Sequence, residues 1–337
     1  MRAVAVLEAR PVTHPEVFVD LELPVPEPGP SDLLVRVEAV SVNPADVRVR
    51  QGKAADGEPR VLGWDAAGHV VAVGAAVEGW APGDPVWYAG DVARPGCDAQ
   101  LHAVDARIAA RRPAGLTAAE AAALPLTTLT AWEALFDRLG FEAFAPAPER
   151  VLLAVGGAGG TASAVLQLAR LIPGLTIIGT ASRPESAAWV RDMGAAHVLD
   201  HSRDLQAELQ AKGLPAPTDV LLLNAPDQHL EAVARLVAPQ GRVCCIVPFL
   251  GPTDLNPLMR KSVSFHWELM FTRPIFGTSD LARQGWILGR VAELVEQGSL
   301  RTTLTEVVGA LSAESLREAH ARLESGRTIG KLVLTVP

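Results

Sequence analysis

Three cysteines (Cys97, Cys244, Cys245) and a single tyrosine (Tyr88) among 337 residues narrow the field at once. Three thiols give no disulfide framework. Cys244 and Cys245 are adjacent on a predicted buried strand, so they point to opposite faces and cannot easily clamp one ion. No apolar run reaches the roughly 18 residues of a membrane span, and Met1–Glu8 reads as a short strand rather than a signal peptide, so a cytoplasmic protein with no membrane partner is expected. Basic runs are also missing. Thirty Lys and Arg against 38 Asp and Glu leave a net charge of −8, which favours solubility and argues against a nucleic-acid partner. No Ser-His-Asp arrangement or carboxylate pair calls for hydrolysis, and Gly160-Thr161 lacks the lysine of a P-loop. What remains is an ordinary globular balance, 49% hydrophobic and 20% charged, on a chain long enough for two domains.

The most informative stretch present is Val151-Leu-Leu-Ala-Val-Gly-Gly-Ala-Gly-Gly-Thr-Ala162. A buried-strand pattern runs into a glycine cluster, and Ala164–Arg170 behind it is apolar at helical spacing. Gly157, Gly159 and Ala162 fit the G-x-G-x-x-G/A pattern that turns a strand sharply into a helix and aims the helix N-terminus at a pyrophosphate. Gly156, Gly157, Ala158, Gly159, Gly160 and Thr161 are therefore candidate cofactor-binding residues. The next strand, Leu175–Thr180, ends in Ala181-Ser182-Arg183. An NAD-selective site places a carboxylate there, about 20 residues past the glycines. A hydroxyl and a guanidinium suit a 2′-phosphate instead, so the expected cofactor is NADPH.

The first 120 residues read as short alternating runs (Ala3–Leu7, Val17–Leu23, Leu33–Val40, Gly68–Val73, Pro85–Tyr88, Ala99–Val104) separated by Pro, Gly and Asp turns, the pattern of an antiparallel barrel or sandwich. Thr117-Ala-Ala-Glu120 is a capping box, and a second helix is predicted over Thr128–Leu139. From Val151 strands and helices alternate to a sixth strand at Val263–Trp267, which predicts a doubly wound six-stranded parallel sheet. A helix over Ser279–Gln297 follows, then a return to the β-rich style ending in Gly330–Thr335. The fold class is α/β, and the expected domains are 1–124, 125–268 and a returning 269–337.

This order, with Ser41-Val-Asn-Pro-Ala-Asp46, Leu62-Gly-Trp-Asp-Ala-Ala-Gly68, Gly83-Asp-Pro-Val86, Leu129-Thr-Ala-Trp132 and Gly330-Lys-Leu-Val-Leu334, resembles the medium-chain dehydrogenase/reductase superfamily, in its quinone oxidoreductase branch. Thr180–Glu185 and Phe265–Glu268 are similar to the zinc-type alcohol dehydrogenase-like subgroup. The resemblance covers essentially the whole chain. It implies a GroES-like β-rich catalytic domain, a Rossmann domain and a homodimer. It also exposes departures. Where zinc alcohol dehydrogenases carry a cysteine and a Gly-His-Glu segment, this chain has Asn43 and Gly63-Trp64-Asp65, and Arg48 stands where several relatives place a tyrosine. Tetrahedral zinc needs three or four converging ligands, so no metal site is expected. Tyr88 reads as a packing residue.

By the resemblance, Asn43 contacts the nicotinamide or a substrate carbonyl, though Asn-Pro equally forms a turn. Thr130 would hydrogen-bond the nicotinamide or a phosphate, or simply open a helix. His201 lies where relatives often use a tyrosine against the adenosine phosphate, but also reads as a surface histidine. Asn224 ends the fourth strand at the ligand-binding edge. Lys331 sits in a loop that relatives bring near the cofactor, or is solvated. Phe249, Trp267 and Phe271 either wall an apolar substrate slot or fill the core. The expected activity is zinc-independent hydride transfer from NADPH to a quinone or α,β-unsaturated carbonyl. A zinc-dependent alcohol or aldehyde dehydrogenase, and an NADPH-binding sensor or RNA-binding protein with little turnover, are the alternatives.

Overall fold

The computed structural model describes residues 1–337, which form two bodies: Met1–Leu129 with Phe271–Pro337, and Thr130–Met270. No helix is long and apolar enough to cross a membrane.

The first body is β-rich. A three-stranded sheet joins β1 (Arg2–Val6), β2 (Val19–Glu22) and β4 (Arg60–Val61), and a larger one is built on β3 (Asp32–Ser41). β3 pairs antiparallel with β5 (Ala66–Val73) and β7 (Leu101–Asp105), and with the returning β16 (Lys331–Thr335). β6 (Pro85–Tyr88) and β8 (Ala109–Arg111) extend one side, and β15 (Leu304–Ala310) runs parallel to β16 on the other. Tyr88 is fully buried, its hydroxyl 3.0 Å from His102 Nδ1.

The first helix departs from the sequence expectation. Pro44–Gln51 is a helix, α1, and not merely an Asn-Pro turn. Val47-Arg48-Val49-Arg50 alternates like a strand, but the caps override it. Asn43 is the N-cap, Pro44 supplies a preset φ at the first helical position, and the Asp46 carboxylate accepts the Asn43 N–H at 2.5 Å. α2 (Ala118–Ala122) has the expected capping box: Glu120 N–H donates to Thr117 Oγ1 at 3.3 Å, and Thr117 N–H to Glu120 Oε2 at 2.9 Å. α3 (Pro125–Trp132) begins earlier than expected, because Pro125 serves as its first residue, and Glu133–Arg138 continues as a π-helix. This run of helix carries the chain across the body boundary, which therefore falls at 129/130 rather than at 124/125.

The second body is a six-stranded parallel sheet in the order β11-β10-β9-β12-β13-β14. Its strands are β9 (Val151–Val155), β10 (Thr176–Thr180), β11 (His197–Leu199), β12 (Asp219–Leu222), β13 (Arg242–Cys245) and β14 (Ser264–Trp267). The connecting helices are α4 (Gly160–Ala169), α5 (Pro184–Met193), α6 (Leu205–Ala211), α7 (Pro226–Leu236) and the short α8 (Asn256–Met259). β9 is buried at every position and lies between β10 and β12, so the strand order reverses beside it, which is where such sheets bind ligands. Leu153, Val155, Val220, Leu222, Val243 and Cys245 pack under α6 and α7, each fully buried aliphatic side chain contributing roughly 1.5–3 kcal/mol. Cys244 and Cys245 are both core residues. After β14 the chain returns to the first body through α9 (Thr272–Phe276), α10 (Arg283–Glu296) and α11 (Ala313–Glu324).

Candidate active site

Two constellations carry chemistry, one in each body. In the second, the turn from β9 into α4 needs its glycines for three different reasons. Gly156 has φ +97°, a conformation that strains any residue with a Cβ. Gly157 lies so close to β10 that an added Cβ would stand 2.4 Å from Thr180 O. Gly159 is the N-cap of α4, offers no capping side chain, and would meet no protein atom within 4 Å of a Cβ. The first turn of α4 therefore keeps N–H groups and its positive dipole end for a ligand, with open space above Gly159. This cradle fits a dinucleotide pyrophosphate.

Thr180, at the end of β10, ties the cradle together. Its Oγ1 accepts the Gly156 N–H at 3.0 Å and lies 3.1 Å from His201 Nδ1. Two residues on, Ser182 is exposed, and Arg183 caps α5 with its guanidinium 3.3 Å from Glu185. Asn224 is exposed just past β12 and close enough to Gly156 that a Cβ there would stand 3.1 Å from the Asn224 Cβ. Gly156–Thr161, Ser182, Arg183, His201 and Asn224 thus share the carboxyl edge of one sheet. His229, on α7, joins them with its ring 5.9 Å from that of His201; a lone histidine in a helical pattern gave no hint of this. Thr130 is buried within α3. Of the three aromatics, Phe249 and Trp267 meet at 5.5 Å, with Phe265 completing the group, and Trp267 remains 52% exposed. Phe271 does not join them. It packs edge-on against Trp64 in the first body, with ring centroids 6.3 Å apart.

The first body holds a closed polar cluster. Lys331, at the start of β16, is 4% exposed. Its ammonium donates to Val42 O and Asp65 Oδ2, both at 3.0 Å, and to Asn43 Oδ1. Asn43 Nδ2 donates to Asp65 Oδ2 at 3.0 Å and to Ser41 O at 3.2 Å. Asp65 Oδ1 accepts the Leu126 N–H at 2.9 Å. Every donor of Lys331 and of the Asn43 amide is therefore spoken for. This corrects two expectations: Asn43 has no N–H left for a substrate carbonyl, and Lys331 is neither solvated nor free to reach a cofactor. Both hold the end of β3, the start of α1, the turn before β5 and the start of α3 to β16.

Charge in this cluster is lopsided. Asp46, Asp65 and Asp98 are all buried, with Lys331 the one ammonium bonded among them. Burial raises the Asp65 carboxyl, opposed by Lys331, the Leu126 N–H and Asn43. Asp46 is pushed well above the carboxylate range by burial and then by Asp98, and its Oδ1 has no partner. Burial brings Asp98 up to about 7. In the unfolded chain Asp98 titrates near 4, so between about pH 4 and 7 the folded protein holds a proton that the unfolded chain has released. Stability from this group is present below that window and declines as pH rises through it. Thermal melts from acid to neutral pH are expected to show this decline, and Asp98→Asn to flatten it. An unchanged pH profile in the variant would refute the assignment.

Two family descriptions match the chain: alcohol dehydrogenase GroES-like domain over residues 29–131, and zinc-binding dehydrogenase over 193–334. A zinc-type alcohol dehydrogenase-like protein of Staphylococcus aureus is 40% identical over 314 residues, covering 92% of each chain. A crystal structure from Rhizobium etli, described as a candidate zinc-dependent alcohol dehydrogenase, is 49% identical and covers 99% of this chain and 98% of its own, with a TM-score of 0.95. This chain belongs to the medium-chain dehydrogenase/reductase superfamily. More distant from it, a 2-methylene-furan-3-one reductase of Solanum lycopersicum is 29% identical over 92% of this chain and 73% of its own. A mycobacterial protein solved with NADPH is 26% identical, covers 99% of this chain and 100% of its own, and has a TM-score of 0.82. The chain is accordingly an oxidoreductase of this superfamily with a site for a nicotinamide cofactor.

Zinc, named in several of these descriptions, does not fit the residues present. No three His, Cys, Asp or Glu side chains are grouped to hold a metal ion. Of the positions matching the zinc segments, Asn43 and Asp65 are both saturated by Lys331 and by each other; the nearby His69, four residues beyond Asp65, is bonded to Glu38 at 2.8 Å.

Proposed function

We propose that the chain is a zinc-independent, NADPH-dependent reductase that delivers hydride to a quinone or an α,β-unsaturated carbonyl. The observation that carries this reading is the pairing of Asp65 with an ammonium. Without a Lewis acid to polarise an alcohol, the acceptors that suit the site already stabilise an incoming electron pair, as hydroquinone anion or enolate. The enone reductase among the relatives supports the acceptor class, and the NADPH-bound neighbour supports the cofactor.

When bound, NADPH supplies the hydride, and the protein supplies binding and orientation. The first-turn N–H groups of α4 would hold the pyrophosphate, Gly156 and Gly157 would let it approach β9 and β10, and Ser182 with Arg183 would hold the 2′-phosphate. A solvent water would complete the reduction by protonating the acceptor oxygen or carbon. Cytoplasmic placement belongs to the same proposal, and so, by family analogy, does a homodimer.

Consumption of NADPH with benzoquinone, phenanthrenequinone and an alkyl enone, with and without a chelator, tests the reading. Turnover that survives chelation and strongly prefers NADPH is expected. Abolition by the chelator would favour the zinc-dependent dehydrogenase, and tight NADPH binding without turnover would favour a sensor or binding protein. The paired change Ser182→Asp with Arg183→Ala is expected to cut the NADPH-over-NADH preference by about 10²-fold or more, because a charge-assisted phosphate contact is replaced by repulsion. A preference that survives the change would remove Ser182 and Arg183 from cofactor selection.

A further inference from the structure

The carboxyl edge of the second body holds two histidines that the proposed chemistry does not use. Thr180 and Leu199 face each other across the β10–β11 pair. The chain leaving β10 toward Ser182 and Arg183 therefore runs beside the chain leaving β11 toward His201. His201 Nδ1 lies 3.1 Å from Thr180 Oγ1, whose oxygen already accepts the Gly156 N–H. The Thr180 hydroxyl proton is then available to Nδ1, an assignment that leaves Nε2 as the N–H of the neutral ring. The His229 ring crosses that of His201 at 71°. We propose that His201 and His229 form a second, proton-dependent part of the 2′-phosphate site, so that the chain takes up a proton when it binds NADPH and takes up none with NADH.

This rests on the NADPH reading and adds to it the residues that set its pH dependence. Burial holds both rings below the ordinary histidine range, and His201 pushes His229 further down, which favours their neutral forms. The charged neighbours leave room for a change. On the β11 side, Asp200 favours a charged His201 but is bonded by Ser202 and paired with Arg203 at 3.3 Å. Glu208 on α6 faces Arg203 at 3.6 Å. Asp227 on α7 accepts the Leu250 N–H at 3.1 Å. On the β10 side, Arg183 stands against Glu185. A phosphate dianion brought to this edge would supply the counter-charge that the rings lack, raise their proton affinity and draw a proton in. By linkage, affinity for the 2′-phosphate then weakens as pH rises through the histidine range.

The test is calorimetric titration of the full-length protein with adenosine 2′,5′-bisphosphate and with adenosine 5′-monophosphate, in buffers of different ionisation enthalpy, at about pH 6.5 and 8.5, which bracket the histidine range. The bisphosphate is expected to take up a sizeable fraction of a proton near pH 6.5 and to lose up to about tenfold in affinity by pH 8.5; the monophosphate should show neither effect. His229→Gln and His201→Gln are each expected to reduce the uptake, while Arg183→Gln weakens the bisphosphate at both pH values and keeps it. A bisphosphate preference at high pH with no proton uptake, or an uptake unchanged in both histidine variants, would overturn this proposal alone. Equal binding of the two ligands at both pH values would overturn the NADPH reading and this proposal with it.

Discussion

Replacing Lys331 by methionine is expected to cost the first body about 3–5 kcal/mol, because it strands the Asp65 carboxylate, 0% exposed, without its counter-ion. The double change Asp65→Asn with Lys331→Met should recover most of that loss, since a neutral amide can still accept the Leu126 N–H and no unpaired charge remains. Denaturant unfolding of the wild type, both single variants and the double variant closes the cycle. The same proteins separate two roles for Lys331. If the ammonium is an internal brace, as its three oxygen partners imply, stability falls and nicotinamide affinity changes less than about threefold, well under 1 kcal/mol. If it reaches the cofactor, as the family resemblance suggests, affinity falls at least tenfold while stability holds. A cost below about 1 kcal/mol, the scale of an exposed pair, would show that the cluster is not the buried ion pair described above.

Why this cluster was hidden in the sequence, while the cradle was plain, follows from separation along the chain. The cradle is local: β9, its glycines and α4 lie within 19 residues, from Val151 to Ala169, and their order is their geometry. Lys331 lies 288 residues from Asn43 and 266 from Asp65, and only the pairing of β16 with β3 brings them together. Asp65 attracted notice solely as a poor stand-in for a metal ligand. The one local clue was Lys331 itself, beside three aliphatic residues on a strand that is buried from Lys331 to Leu334. A lysine there must snorkel or find a partner. α1 was missed for a related reason. Asn43, Pro44 and Asp46 spell the cap signal of a helix start, but the Val-Arg-Val-Arg behind them alternates and carries no apolar stripe at helical spacing. His229 needed α7 to carry its ring beside that of His201, which no spacing in the chain conveys.

The two central glycines of the cradle should fail in different ways when given a methyl group. At Gly157 the new Cβ would sit 2.4 Å from Thr180 O and 3.1 Å from a Val190 methyl, so Gly157→Ala must push β10 or α5 away from the turn. Overpacking of this kind costs about 1–3 kcal/mol, and it should lower dinucleotide affinity as well, because the Gly157 N–H bond to Thr180 O, 3.1 Å long, anchors the loop. Gly159 has φ −74° and no protein atom within 4 Å of a Cβ. Gly159→Ala is therefore expected to leave stability within about 0.5 kcal/mol. Its affinity for NADPH should nonetheless fall about tenfold or more, or roughly 1.4 kcal/mol, because the methyl would occupy the space left for the pyrophosphate. Melting curves and cofactor titrations on the two variants read the contrast directly. Equal loss of stability in both would mean that Gly159 serves the fold, and undiminished affinity in Gly159→Ala would place the pyrophosphate elsewhere than over the N-terminus of α4.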